Sequence, residues 1–133
     1  MNEESLLADW IIDQMSDALI YIDDQGIVRR WNQAACDLFG YSAAEMLGNG
    51  LDPIIPEHLR AGHHKGFHAA VASGKTRLQG RPTVTRAMHK NGAKRYVEMT
   101  FALVRNPDGK VMGSVAVARD VTEKVEQARR AAS

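Results

Sequence analysis

Residues 17–41 read DALIYIDDQGIVRRWNQAACDLFGY, and this stretch sets how the rest of the chain is read. Two short apolar runs, Ala18 to Asp23 and Gly26 to Trp31, have the composition of strands. Asp24-Gln25-Gly26 lies between them, and its glycine can take the positive φ of a tight hairpin. Asn32 follows as a good N-cap, because its side-chain oxygen can accept from a free N–H of the first helical turn. The helix it opens runs through Ala34, Ala35, Leu38 and Phe39. Gly40 stops it, since glycine tolerates the left-handed conformation that a helix end needs.

Working outward, Ser42-Ala43-Ala44-Glu45 spells a capping box, in which each side chain reaches the other residue's N–H, and Gly48 ends that short helix. A longer helix fits Pro56 to Ser73, with proline in its first turn and Gly74 just past its end. Strands are expected over 76–89, 95–104 and 111–119. They are joined by turns at Asn91-Gly92 and Asn106-Pro107-Asp108-Gly109, which makes a three-stranded meander. Upstream, residues 5–15 place Leu7, Ile11 and Met15 at helical spacing with Trp10 beside them, and Ser5 is the expected N-cap. Downstream, Thr122 is the expected cap of a helix that puts Val121, Val125 and Ala128 at i, i+4 and i+7.

Composition narrows the function. At 133 residues and 44% hydrophobic, the chain suits one domain with one core. A formal net charge of +1 gives no massed basic face for nucleic acid. No run reaches the roughly 18 apolar residues of a membrane span. The acidic start MNEESLLADW is not that of a signal peptide, so a cytoplasmic protein is expected. One cysteine, Cys36, excludes an internal disulfide and reads as a small apolar residue. There is no glycine-rich phosphate loop and no kinase or cyclase motif. Asp23 and Asp24 suit a solvated turn better than an acid/base pair, so no enzyme is expected.

The order β-β-α-α-α-β-β-β, with three sequence words, resembles the PAS family. The words are Asp17-Ala18-Leu19-Ile20 with Asp23-Asp24-Gln25-Gly26, then Trp31-Asn32-Gln33-Ala34-Ala35 leading to Leu38-Phe39-Gly40-Tyr41, and finally Val117-Ala118-Arg119-Asp120-Val121-Thr122-Glu123. The resemblance implies an α+β fold: a five-stranded antiparallel sheet in order 2-1-5-4-3, with helices packed on one face. It divides the chain into an N-terminal amphipathic helix (1–16), a sensory domain (17–122) and a C-terminal linker helix (123–133). It also implies that Asp120 and Thr122 relay a signal from the sheet into that last helix. A kinase, cyclase or chemoreceptor output domain is the expected partner, in cis or in trans. A homodimer through the terminal helices is expected because their apolar stripes would otherwise face water.

The candidate site follows from the long helix. At 100° per residue, Leu59, His63, Gly66, Phe67, Ala70 and Val71 share one arc, with His63 near its middle. Facing strands offer Met99, Phe101 and Leu103 from one alternating set, and Val115 and Val117 from another. An imidazole aimed into an apolar slot is what a haem iron requires as its proximal ligand. Pro56-Glu57-His58-Leu59-Arg60-Ala61-Gly62-His63 resembles the stretch carrying the haem-ligating histidine in PAS domains of bacterial oxygen sensors. That match makes His63 the ligand of haem b, and the pair Gly80-Arg81 makes Arg81 the distal residue hydrogen-bonded to bound oxygen. Other readings stand beside these. His63 can be a core histidine bonded to a backbone carbonyl, and Arg81 a solvated strand residue. The domain can also be a haem-free module that binds a small metabolite or only dimerises. His64 and His68 have metal-clamp spacing, but no third ligand accompanies them, so two solvated histidines are expected.

Overall fold

The hairpin forms β1 (Ala18–Asp23) and β2 (Val28–Trp31) in the computed structural model of the protein, which describes residues 3–76 and 80–132. Asp23 builds the turn: its carboxylate accepts from the N–H groups of Gln25 and Ile27, and Gly26 takes φ 79°. Next comes α2 (Gln33–Phe39), capped at its start by Asn32 and closed by Gly40 at φ 80°. The capping box of α3 (Ala43–Met46) has both of its reciprocal bonds. A single 3-10 turn (Asp52–Ile54) leads to α4 (Glu57–Ser73), which ends on Gly74 at φ 73°. The meander is β3 (Thr83–Met88), β4 (Lys94–Arg105) and β5 (Val111–Asp120). The first of its strands is shorter than the expected 76–89, and residues 77–79 of that expectation lie outside the described residues.

The five strands pair antiparallel in the order β2-β1-β5-β4-β3. Register decides which side chains face the helices. Ala18 pairs with Ala118, Ile20 with Ala116 and Ile22 with Ser114, while Met99 and Phe101 face Ala118 and Ala116 across β4. This set forms the inner face. Leu19, Tyr21, Val115 and Val117 alternate onto the outer face, so Val115 does not face the helices as expected. Trp31, Ala35, Phe39, Met46 and Ile54 bury themselves against the inner face and complete the core.

Asn32 is the buried polar hub of this arrangement, at 2% exposure. Its Oδ1 accepts from the N–H groups of Leu19 and Ala35, and its Nδ2 donates to the carbonyls of Ile12 and Asp17. One side chain therefore ties together β1, α2 and the end of α1 (Glu3–Gln14). That helix begins at Glu3, so Ser5 lies within its first turn.

The C-terminal α5 (Thr122–Ala132) also departs from expectation. Asp120, not Thr122, supplies the capping oxygen, accepting from Thr122 N–H at 2.8 Å. The Thr122 hydroxyl turns back to β4, where Tyr96 N–H donates to it at 2.8 Å. Val121 N–H donates to the Tyr96 carbonyl, and the Arg129 guanidinium lies 4.9 Å from the centre of the Tyr96 ring. No helix among the described residues is long and apolar enough to cross a membrane.

Candidate functional site

A cavity of about 420 Å³ separates α4 from the inner face of the sheet. Ile20 and Ile22 of β1, Ser114 and Ala116 of β5, and Phe101 and Leu103 of β4 make its floor. Gly62, His63, Gly66, Phe67 and Ala70 of α4 cover it, and Leu51, Thr76 and Thr83 complete the lining. The floor beneath α4 is wide because β5 offers only a hydroxymethyl and a methyl group there. Such a volume is within the range of small-molecule and cofactor sites, about 300–1,000 Å³.

His63 is the chemically distinctive group. Its Nδ1 is buried and has no hydrogen-bond partner among the described residues, although buried polar atoms in folded proteins nearly always have one. Burial holds the imidazole below its ordinary pKa. The neighbouring His64 adds to this, and Asp52 opposes it. The direction of that shift favours the neutral form, which is the one that binds metals. Gly62 and Gly66 flank it, and a Cβ built on either meets nothing within 4 Å. The helix thus presents a bare strip of backbone beside the imidazole. An imidazole with an unpartnered Nδ1, open space at the two glycines beside it and apolar walls fit a macrocycle bearing a metal. No group of three or more histidine, cysteine, aspartate or glutamate side chains that could hold a metal ion occurs among the described residues.

Of the residues expected in the site, His63, Gly66, Phe67, Ala70, Phe101 and Leu103 come together in the cavity lining. Leu59 is half-buried one turn before His63, outside the lining, and Met99 packs against the core farther along β4. Val115 lies on the opposite face of the sheet. Arg81 is exposed ahead of β3 and does not line the cavity, whereas Thr83, two residues on, does. His64 and His68 are exposed, and His64 pairs through Nε2 with Asp52 Oδ1 at 2.8 Å. The floor residues Ile20, Ile22, Ser114 and Ala116 were not anticipated. The signal for them was the alternation of β1 and β5, which is ambiguous where both parities are apolar.

Residues 12–126 match the family model described as the PAS fold. The chain belongs to the PAS fold family. Among curated relatives, it is 28% identical over 116 residues to the oxygen sensor protein DosP of Escherichia coli, a match covering 87% of this chain and 14% of that one. It is also 28% identical over 134 residues to the signal transduction histidine-protein kinase AtoS of the same organism, covering 99% of this chain and 21% of AtoS. The chain therefore spans less than a quarter of either relative. A solved PAS domain from Colwellia psychrerythraea superposes with a TM-score of 0.76 at 22% identity, covering 92% of this chain and 99% of that one.

Proposed function

We propose that this PAS domain is a haem-binding sensory module in which His63 is the iron ligand, and that it reports the state of its cavity through α5. The observation that carries the reading is His63, which lines the cavity with its Nδ1 lacking a hydrogen-bond partner among the described residues, beside the open space left by Gly62 and Gly66. Similarity to an oxygen sensor supports it. Bound haem would supply an iron that takes up oxygen or another small gas, or that changes redox state. Phe67, Phe101 and Leu103 would sandwich the macrocycle and exclude water, while Leu59 and Met99 would back that wall. Arg81, by its resemblance, is kept as the distal candidate, although it stands outside the lining. One observation favours a second reading: the lining carries the hydroxyls of Thr76, Thr83 and Ser114 and no charged side chain, which suits an uncharged metabolite.

Titration of the full chain with haemin, followed by absorbance, tests the first reading. Wild type, His64→Ala and His68→Ala are expected to bind one equivalent, and His63→Ala none. Unchanged binding by His63→Ala sinks the assignment.

Relay through the junction has a physical basis. β4 floors the cavity with Phe101 and Leu103, and the same strand holds the start of α5 through Tyr96 and Thr122, with Asp120 as the cap. A shift of that strand would move the helix first. The reading is sensory rather than catalytic, and similarity to a histidine kinase and to DosP supports an output domain as partner.

Homodimerisation through the terminal helices belongs to the same proposal. Leu7, Trp10 and Ile11 form an apolar stripe on α1, each about half exposed. Such a stripe on a short helix is stabilised by a second copy. An Ile11→Glu chain is expected to sediment as a monomer at concentrations where the wild type is a dimer. A wild type that stays monomeric throughout a concentration series rejects the dimer.

A further inference from the structure

The attachment of α4 carries a consequence for access to the cavity. α2 and α3 each drive side chains into the core, whereas none of the 17 residues of α4 is fully buried. A helix on a sheet is normally held by its apolar face, at about 1.5–3 kcal/mol for each fully buried side chain. Here that face looks into the cavity, and two of its positions are glycines with empty space before them. Phe67 makes the apolar contact, with its ring against Gly26 in the β1–β2 turn.

What remains is polar and exposed. His64 pairs with Asp52 in the 3-10 turn, and both side chains are about half exposed. At the other end the Arg105 guanidinium, at the end of β4, donates to the Gly74 carbonyl. Arg60 Nε donates to the carbonyl of Ile55, five residues back and just before the helix. The helix is bounded by Pro56, with ψ 139°, and by Gly74, left-handed at φ 73°, a residue without a Cβ whose backbone can act as a hinge. Closing the helix over an empty cavity also leaves His63 Nδ1 unsatisfied, which disfavours the closed state.

We propose that α4 is a hinged lid over the cavity, latched by His64–Asp52 and Arg105–Gly74, and that its opening sets the rate at which a ligand enters and leaves. The inference rests on the reading of the cavity as a ligand site. Latches of this kind are exposed hydrogen bonds and individually weak, worth about 0.5–1.5 kcal/mol each, so a helix that depends on them opens locally long before the domain unfolds. A bound ligand adds the apolar contacts that α4 lacks and completes the closed state.

Hydrogen exchange by mass spectrometry on the haemin-free full chain tests the lid without any ligand. The amides of α4 are expected to exchange at least about tenfold faster than those of β1 and β5. Asp52→Ala and Arg105→Ala are each expected to speed α4 exchange a further ~3- to 10-fold, with β5 unchanged as the control for folding. An α4 protected as strongly as β5, or exchange unaltered in both variants, overturns the lid. A second arm measures transfer of bound haemin to excess apomyoglobin, which is expected to be faster in both variants than in wild type. Failure of the wild type to take up haemin rejects the haem reading and leaves the exchange result standing. Transfer at the wild-type rate in both variants overturns α4 as the gate.

Discussion

A Gly113→Val chain is expected to show no cooperative unfolding transition, and Gly113→Ala to lose at least about 4 kcal/mol of stability, beyond the usual range for overpacking. Gly113 sits in β5, the middle strand of the sheet, opposite Asp23 of β1. A Cβ at this position would overlap the Ile22 carbonyl oxygen and stand 2.7 Å from the Tyr21 hydroxyl and 2.9 Å from Asp23 Cα. Two of these three obstacles are backbone, so no rotamer change relieves the clash. β1 and β5 would have to part, and with them the cavity floor, because Ile22 and Ser114 are the immediate neighbours of the clash. The position is marked by an irregular register between β4 and β5 at Val104 and Arg105, and by Tyr21 Oη donating to the Met112 carbonyl at 3.0 Å. A glycine at a strand irregularity with close backbone approach is the usual solution to such geometry. Since total stability is about 5–15 kcal/mol, the alanine chain should melt far below wild type. Urea and thermal unfolding give the answer, and an alanine variant within 1 kcal/mol of wild type would show that the strands separate easily.

The legibility of the sequence followed the range of the interactions involved. The Asn32 cap on Ala35, Gly40, the Ser42–Glu45 box and Gly74 work within four residues, and each was readable from spacing. The meander turns were readable for the same reason. The bonds of Asn32 to Ile12, Asp17 and Leu19 span 13 to 20 residues and were not. Helical projection found His63 and Phe67 because 100° per residue fixes a direction. It does not fix position along the axis, so Leu59 points the same way but falls short of the cavity. β5 resisted reading because both of its parities are apolar: Val115 and Val117 alternate with Ala116 and Ala118. The larger pair suggested the inner face. The smaller pair occupies it, leaving volume for the cavity. Arg81 depended on where β3 begins, and a start at Thr83 gives the cavity lining to that threonine. At Thr122 the expected cap gives way to two other bonds. Asp120, two residues earlier, provides the cap and frees the threonine hydroxyl for Tyr96. None of this indicated that α4 would be so loosely held, since that depends on what the floor leaves empty.

An Asn32→Leu substitution is expected to cost about 3–5 kcal/mol, although it replaces a polar side chain with an apolar one of similar size in a buried position. The reason is what it leaves behind. The N–H groups of Leu19 and Ala35 and the carbonyls of Ile12 and Asp17 all lose their partner at once. Each buried group left unpaired costs about 1–3 kcal/mol, and partial access of water to the outer two reduces the sum. For a domain this size the loss corresponds to a fall in Tm of roughly 10–20 °C. Asn32→Asp separates the two halves of the network. It keeps an acceptor for Leu19 and Ala35 but cannot donate to Ile12 and Asp17, and it places a charge at a site only 2% exposed. It should also destabilise, and its specific mark should be loss of amide protection in the last turn of α1, where the Ile12 carbonyl is anchored. Unfolding curves for the three chains, with hydrogen exchange resolved to α1, test both parts. If Asn32→Leu matches wild type in stability, the hub is replaceable by packing alone. If α1 keeps its protection in Asn32→Asp, the N-terminal helix is held by contacts other than this side chain, and any signal crossing between α1 and the sheet must use those instead.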